Sequence, residues 1–386
     1  MSLLSLVLMV RDEALTIQKT LASAKPFVDT WLVLDTGSVD GTQALVRREM
    51  AGVFGTLVEE PFVSVKGLDR RTIDYAETRN RALDLVEVHS TRFSIFLSGD
   101  ETLEGGDVLR SFLDAKRDAE DGAYCVELWS STQRWFYPRV LRTGAGWRYA
   151  RAIHERPRGP QGESGGLIIP GVRIRHEVSD ATRRAKRIRE VDLPVLDAIV
   201  RDEMLPVSER ADAMFHLAQA HEAVGDENRR TLGGPWISHK MQAMAFYRRF
   251  SEVERKDRLK CAYAEFRYLN LAESTGIYRG AELLSRLAPL AHKAPEIPEI
   301  RYALAVACAS RDARRGLEEA LHAAETARTM REKPSVHVPL DSRVEWLALR
   351  IAAACAHALG DRDQSRDLAQ RGVRVGPREA FTEFLV

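Results

Sequence analysis

Residues 34–42 of the chain, Leu34-Asp35-Thr36-Gly37-Ser38-Val39-Asp40-Gly41-Thr42, decide its fold class. They follow an apolar run over 30–34 and precede an amphipathic run over 42–50, so they predict a turn between a buried strand and a helix. The two glycines permit tight turns, and the polar residues beside the second one are suited to cap the helix. Asp35 would then end the strand, where its carboxylate is able to accept hydrogen bonds from a base or a ribose.

The same alternation of strand and helix continues on both sides of this stretch. Strand patterns occupy Leu4–Val10 and Phe93–Leu97, and amphipathic helix patterns occupy 14–24 and 75–88. Buried strands that alternate with helices predict a mostly parallel sheet covered on both faces. Because ligands bind beyond the carboxyl ends of such strands, the residues just after each strand are the candidates for a functional site.

The pattern changes near residue 180, where the strand signals end and an Ala-, Leu-, Arg- and Glu-rich helical pattern begins. Two helices are predicted to end in glycine caps, at Gly225-Asp226 and at Gly360-Asp361. The two caps lie 135 positions apart, close to four periods of about 34 residues, the length of a tetratricopeptide repeat (TPR). We therefore expect an all-α domain of TPR-like repeats over 179–386, with an irregular helical bundle as the alternative.

The composition is that of an ordinary globular protein, with 45% hydrophobic residues, 29% charged residues and a net charge of +1. This near balance argues against a surface built throughout to grip nucleic acid, although it allows a local basic patch. The four cysteines form no Cys-x-x-Cys motif, and the apolar start over 1–10 is too short for a membrane span and lacks the features of a signal peptide. We expect a cytoplasmic protein with reduced thiols and no membrane span.

A basic run lies close to the predicted domain boundary. Its seven cationic residues are Arg173, Arg175, Arg183, Arg184, Lys186, Arg187 and Arg189. Such a run is usually a solvated helix face. The alternatives are a surface that attracts a diphosphate donor, an anionic glycan or a nucleic acid.

Three further polar segments stand at predicted strand and helix ends: Val10-Arg11-Asp12-Glu13, Asp74-Tyr75-Ala76-Glu77-Thr78-Arg79-Asn80 and Ser98-Gly99-Asp100-Glu101. Together with residues 34–42, in this order and spacing, they resemble the motifs of the family 2 glycosyltransferases. That resemblance implies a GT-A domain, a Rossmann-like α/β fold that binds nucleotide-diphospho-sugars, over 1–178. Within the family the chain looks most like bacterial members with C-terminal TPRs, which include peptide S-glycosyltransferases.

The resemblance also implies which residues bind the nucleotide sugar. They are Val10, Arg11, Glu13, Asp35, Gly37, Ser38, Arg79, Ser98, Gly99 and Asp100. Among them, Asp35 would contact the uracil or the ribose, and Arg79 would reach the diphosphate or the donor sugar with its fork of N–H donors. Taken alone, Arg79 would be interpreted as one partner of an ion pair on a helix surface.

The segment Ser98–Glu101 departs from the family pattern. Ser98 stands where the first acid of Asp-x-Asp is usual, while the second acid is kept as Asp100. The resemblance implies that Asp100 and His176 hold Mn²⁺ or Mg²⁺. One carboxylate with phosphate oxygens and water is able to bind such a cation, and an imidazole ligand favours manganese. The alternatives are that Asp100 caps the strand end and that His176 is a surface residue.

A candidate base lies in the stretch that ends in Ile153-His154-Glu155, since the similar family stretch ends in Ile-His-Glu near the reaction centre. Inverting sugar transfer, which the family resemblance implies, needs a base that takes the proton of the acceptor. Glu155 is the first candidate and His154 the second. The alternative is a His-Glu pair that bonds to the backbone of a loop.

The sequence analysis therefore predicts an inverting glycosyltransferase that moves a hexose from a UDP-sugar to a peptide, protein or glycan. Two alternatives stay open. The basic run allows an acceptor that is a hydroxylated base in modified DNA, and Ser98 allows a decayed transferase fold that serves as a scaffold. The donor sugar, the linkage through O, S or N, and the oligomeric state are left open by the sequence.

Overall fold

A mixed sheet builds the first part of the chain, and helices build the second. The computed structural model describes residues 2–65, 73–130, 133–162, 165–176, 185–231, 234–332 and 340–385. It divides into two units, Met1–Arg184 and Ala185–Val386. The predicted domain boundary between 178 and 179 lies outside the described residues, as do Arg183 and Arg184 of the basic run.

Eight strands of the first unit form one sheet in the order β3-β2-β1-β4-β7-β6-β10-β5. These strands are β1 (Leu4–Val10), β2 (Thr30–Asp35), β3 (Phe54–Glu59), β4 (Phe93–Leu97), β5 (Glu101–Glu104), β6 (Ala123–Trp129), β7 (Gln133–Arg142) and β10 (Leu167–His176). A separate antiparallel pair consists of β8 (Arg148–Ala150) and β9 (Arg156–Arg158). Four α-helices accompany them among the described residues: α1 (Ile17–Ala24), α2 (Thr42–Glu49), α3 (Tyr75–Glu87) and α4 (Gly106–Ala115).

Six of these eight strands run in one direction, as a mostly parallel sheet requires, and β5 and β7 run in the other. β3, β2, β1 and β4 form a parallel half, and β10 is parallel to β6, whereas β7 runs antiparallel to both β4 and β6, and β5 runs antiparallel to β10. The reason is the connection, because strands such as β6 and β7 that follow each other without an intervening helix pair antiparallel. The sheet is therefore mixed.

The predicted elements of the parallel half are confirmed, with one shifted start. β1 and β4 have the predicted bounds, and β2 extends one residue further, through Asp35. The first helix begins at Ile17 rather than at the predicted residue 14. The delay follows from hydrogen bonds, because the amides of Asp12, Glu13 and Ala14 donate to side chains of the turn at 38–42 and not to a helix.

Apolar side chains cover both faces of the sheet, as the continuous apolar strands predict. On one face Val7, Leu34 and Phe96 pack with Ala82 of α3. On the other face the β1 and β4 side chains pack against the helices that precede β2 and follow β5, and most of these side chains are fully buried. The sheet is thereby fixed, and its carboxyl edge is a rigid base for the loops that follow.

Apart from turns and the two-residue strand Leu340–Asp341, the described residues of the second unit are helical. Its described α-helices are α5 (Leu193–Arg201), α6 (Val207–Arg230), α7 (Trp236–Val253), α8 (Arg258–Ser274), α9 (Gly280–Lys293), α10 (Pro298–Ala309), α11 (Ala313–Glu332), α12 (Val344–Ala358) and α13 (Arg362–Val373). None of the helices in the described residues is long and apolar enough to cross a membrane.

One predicted glycine cap is confirmed and the other is wrong. Gly360 follows the end of α12 with a φ of +84°, the left-handed conformation expected of a C-terminal cap. Gly225 lies inside α6, which continues to Arg230. A Cβ at position 225 would stand 3.2 Å from side-chain carbons of Lys240, so this glycine serves the close packing of α6 on α7. The 135-residue spacing therefore does not measure the repeat.

Two histidines, His221 of α6 and His239 of α7, are in contact. Their Nδ1 atoms lie 3.0 Å apart, and the ring of His221 stacks on Phe246 at a centroid distance of 5.8 Å. Burial, with a smaller contribution from His239, lowers the pKa of His221 to about 4 against the opposing charge of Asp197. Burial also lowers the pKa of His239, helped by Arg189. The folded helices thus favour neutral imidazoles.

We expect these histidines to weaken the helical unit in mild acid. The unfolded chain takes up a proton near the ordinary histidine pKa of about 6.5, while folded His221 takes it up only near pH 4, so stability is lost as pH falls through this window. The expected loss between pH 7 and 5 is about 1 kcal/mol after discounting for partial exposure. Hydrogen exchange of the α6 and α7 amides, corrected for intrinsic rates, measures it, and His221→Gln should flatten the dependence. An NMR titration of the His221 ring near pH 6.5 would contradict the expectation.

Candidate functional site

The ends of several strands meet at one edge of the sheet. β1, β2 and β4 are adjacent and parallel, with Val10 beside Asp35 and Leu8 beside Leu97 in the register. β10 runs in the same direction as β4, because each of β6 and β4 is antiparallel to β7 and β10 is parallel to β6. The loops after these strands, and His176 at the end of β10, therefore lie along the same edge.

Asp35 has a fully buried carboxylate with two differently used oxygens. Its Oδ1 accepts hydrogen bonds from the amides of Gly37 and Ser38, both at 2.8 Å, in a turn that Gly37 permits with its φ of +106°. Its Oδ2 is buried and has no hydrogen-bond partner among the described residues. A buried acceptor without a donor is unfavourable by about 1–3 kcal/mol, so a further donor group at this atom would be stabilising.

The loops after β1 and β2 are bonded to each other. The Ser38 Oγ accepts from the Asp12 amide at 2.9 Å, and the Val39 amide donates to Asp12 Oδ1 at 2.8 Å. Val10 joins the same arrangement through its carbonyl oxygen, which accepts from the amide and the hydroxyl of Thr36, each at 2.9 Å. Ser38 is thus placed in the predicted region with its hydroxyl used in holding the two loops together.

Gly99 brings the loop after β4 against the loop after β1. A Cβ at position 99 would lie 2.5 Å from Cγ of Glu13, so a larger residue here would displace the Glu13 side chain. The hydroxyl of Thr20 donates to the Gly99 carbonyl at 2.9 Å and fixes the contact. Arg11 is exposed beside them, with its guanidinium carbon 5.8 Å from the centroid of the Phe62 ring.

The acidic pair Asp100-Glu101 is divided between two tasks. Glu101 is buried, accepts from the Ser98 amide at 2.8 Å and forms an ion pair with Arg139 at 2.6 Å. Asp100 Oδ2 lies 3.0 Å from Nε2 of His176, and this hydrogen bond is the main reason that the pKa of His176 is raised, against the effect of burial. Glu101 therefore stabilises the sheet, and Asp100 and His176 form the polar pair at the edge.

Asp100 and His176 supply a mixed oxygen and nitrogen donor set of the kind that suits Mn²⁺ better than Mg²⁺. The described residues contain no group of three or more His, Cys, Asp and Glu side chains placed to hold a metal ion. A divalent cation at this pair would need its remaining ligands from phosphate oxygens and water, as hard cations commonly take them. The residues fit a cation that is bound together with a diphosphate.

Arg79 and Glu155, predicted in separate roles, are bonded to each other. Arg79 Nε donates to Glu155 Oε1 at 2.7 Å, and the side chains are 12% and 17% exposed. Arg79 also stacks on the Tyr149 ring, and Tyr137 donates its hydroxyl proton to the Glu155 carbonyl. Burial opposes the charge of Arg79, but the field of Glu155 outweighs it and raises the Arg79 pKa. His154 stands beside this pair with a left-handed φ of 54°.

Sequence reasoning missed three residues that shape this edge. Asp12 adopts a left-handed φ of 54° and bonds the β2 loop; an aspartate directly after a strand was the available signal. Arg139 forms an ion pair with Glu101 inside the sheet. The available signal in the sequence was an arginine directly before the apolar pair Val140-Leu141. Tyr149 has a hydroxyl that is buried without a partner in the described chain, and burial raises its pKa to about 12.

The sequence matches no protein-family model and no curated protein. Several solved structures are similar in part. BtubC from P. vanneervenii shares 12% identity at a TM-score of 0.38, over 50% of this chain and 73% of that one. The TPR-like repeats of a kinesin light chain from Podosopora anserina share 14% identity at 0.32, over 50% of this chain and 90% of that one. A mannose-1-phosphate geranyltransferase from Thermus thermophilus shares 14% identity at a TM-score of 0.23, over 58% of this chain and 68% of that one. At these TM-scores no family follows for this chain.

We expect the Arg79–Glu155 ion pair to contribute strongly to stability. Arg79→Met should lower the free energy of unfolding by about 3 kcal/mol or more, because it leaves a mostly buried carboxylate without its cation. Calorimetric melting of the full chain measures the effect. The matched control is Arg81→Met, which breaks the exposed pair with Glu60 on the same helix and should change stability by less than about 1 kcal/mol. If adding Glu155→Gln recovers none of the loss, the effect is packing and not charge.

Proposed function

We propose that the chain is an inverting glycosyltransferase that uses a UDP-sugar as donor. The observation that carries the proposal is the buried Asp35 Oδ2, which lacks a partner among the described residues at the edge where β1, β2 and β4 end. The N–H of a uracil or a hydroxyl of a ribose would supply the missing donor. Ligands of sheets with this arrangement bind beyond the carboxyl ends of the strands.

The rest of the donor would extend from Asp35 across β1 toward the loop after β4. Adjacent strands lie about 4.8 Å apart, so the step from β2 to β4 is roughly 10 Å. That step leads from the nucleoside end of the proposed donor to Asp100 and His176, the pair that suits a cation bound with phosphate. Mn²⁺ or Mg²⁺ held there would neutralise the charge that develops on the departing diphosphate.

For the acceptor step, Glu155 is the proposed base and His154 the second candidate. Arg79 holds the Glu155 carboxylate at 2.7 Å, and Tyr137 holds its backbone, so the orientation of Glu155 is fixed from two sides. In this proposal Arg79 orients the base, and its contact with the diphosphate remains a prediction. The proposed acceptor is a peptide, a protein or a glycan.

The test of the nucleotide site is Asp35→Asn. The substitution keeps an Oδ1 acceptor for the two turn amides and replaces the unpartnered Oδ2 by an NH₂ donor, which would confront the donor of the nucleotide. We expect UDP affinity, measured by titration calorimetry, to fall by about 10–100-fold, the equivalent of roughly 1.4–2.8 kcal/mol.

The matched control for Asp35→Asn is Asp29→Asn. Asp29 precedes the same strand at its other end, and its carboxylate accepts from the Leu3 and Leu4 amides and from Arg110. This variant should bind UDP as the unaltered chain does. Equal affinity of Asp35→Asn and the unaltered chain, or no binding of any nucleotide sugar with or without Mn²⁺, would remove the proposal.

A second candidate function is nucleotide-sugar binding without transfer. Two observations favour it. Glu155, the proposed base, is paired with Arg79. Ser98 stands in place of the first acid of the motif, and Glu101 is paired with Arg139. The two functions differ in turnover. A transferase should slowly release UDP from a UDP-sugar in the presence of Mn²⁺, and Asp100→Asn should reduce that rate by at least tenfold. A binding protein would retain affinity for UDP and show no release above the rate of the Asp100→Asn variant.

A further inference from the structure

The helical unit contains a pocket formed by three consecutive helices, α7, α8 and α9. Its volume is about 460 Å³, within the range of roughly 300–1,000 Å³ that is usual for small-molecule sites. The residues that line it are Tyr247, Arg248, Ser251, Glu252, Glu265, Tyr268, Leu269, Tyr278 and Arg286. We call this cavity the tyrosine pocket.

Aromatic and polar groups dominate the lining. Tyr268 and Tyr278 place their rings 6.3 Å apart at an angle of 60°, with their hydroxyl oxygens at 3.5 Å. The Arg286 guanidinium packs over the Tyr278 ring at 4.2 Å and keeps that side chain in place. Leu269 is the one aliphatic residue of the lining. A long apolar side chain or an amphipathic helix would therefore find little complementary surface.

The charges of the tyrosine pocket cancel. The lining carries two arginines and two glutamates. Arg248 pairs with Glu252 at 3.3 Å, Arg286 with Glu282 at 3.4 Å, and Glu265 lies 3.9 Å from Lys293. An anionic ligand would meet carboxylates beside every guanidinium, and a cationic one would meet guanidinium groups. The balance favours an uncharged ligand that is rich in hydrogen-bonding groups.

Buried polar contacts hold the innermost lining residue of the pocket, Tyr247. The Tyr247 hydroxyl donates to Glu222 at 3.0 Å, and Glu222 forms an ion pair with Arg267. Tyr247 and Glu222 are both buried, so this side of the pocket is rigid. At the mouth of the pocket, Arg248 and Glu265 are exposed and accessible to a ligand.

We propose that the tyrosine pocket binds an uncharged saccharide unit. The half-buried ring of Tyr268 offers an amphipathic face to the C–H groups of a sugar ring, beside the Tyr278 ring that Arg286 covers on one side. Guanidinium forks and carboxylates suit neighbouring hydroxyl pairs, since each presents two donors or two acceptors in one plane. This site goes beyond the proposed transfer reaction and is formed by residues of the helical unit alone. If the chain is a transferase, the pocket would select a glycan-bearing acceptor.

The test uses the full chain and a panel of neutral probes: glucose, galactose, mannose, N-acetylglucosamine and their disaccharides. Ligand-observed NMR and titration calorimetry should find at least one probe that binds in the presence of saturating UDP. Its affinity should fall at least tenfold in Arg248→Ala and in Glu265→Gln. Arg249→Ala and Glu273→Gln are the matched controls, because both residues are exposed on the same two helices and do not line the pocket.

Several results would overturn the proposal. One is that no probe binds. Others are that Arg248→Ala and Arg249→Ala lower affinity equally, or that UDP displaces the probe, which would assign it to the donor site. Preferential binding of inorganic phosphate or of an acidic peptide in the pocket would also contradict it. UDP release from a UDP-sugar should be the same in Arg248→Ala as in the unaltered chain, so a failure of the pocket is distinguishable from a failure of the transferase proposal.

Discussion

The unequal use of the two oxygens of Asp35 is the constraint on which the candidate site depends. One oxygen fixes the turn after β2 by accepting two amides, and the other is buried with no partner in the described chain. A dry, unpaired acceptor carries an unfavourable free energy that a donor N–H or O–H relieves. Because Asp12 and Ser38 bond the neighbouring loops together, that oxygen is already in place before any ligand binds.

One buried and one mostly buried ion pair give the acidic residues of this edge different roles, some structural and some proposed for the reaction. Glu101 compensates Arg139 within the sheet, which leaves Asp100 and His176 as the pair at the rim. Glu155 is paired with Arg79, which orients its carboxylate. Removing either member of such a pair is strongly destabilising, because it leaves a mostly buried charge unpaired. Side chains that are held in this way are oriented before a ligand binds, which suits positioning.

Local patterns predicted the parallel half of the sheet and the helix cap at Gly360, because periodicity and turn residues are properties of short segments. The direction of β7 and the continuation of α6 through Gly225 depend on contacts with other segments. The same limit applies to the site. The sequence motifs place Asp35 at a strand end, but the bond from Arg79 to Glu155 joins residues 76 positions apart, and no motif encodes that distance.

The most direct test of the account is a structure of the full chain with UDP and Mn²⁺. It should show a uracil N–H or a ribose hydroxyl within about 3 Å of Asp35 Oδ2, the usual hydrogen-bond distance, and the cation between the diphosphate and the Asp100–His176 pair. A nucleotide bound elsewhere, with Asp35 Oδ2 still unpartnered, would contradict the account.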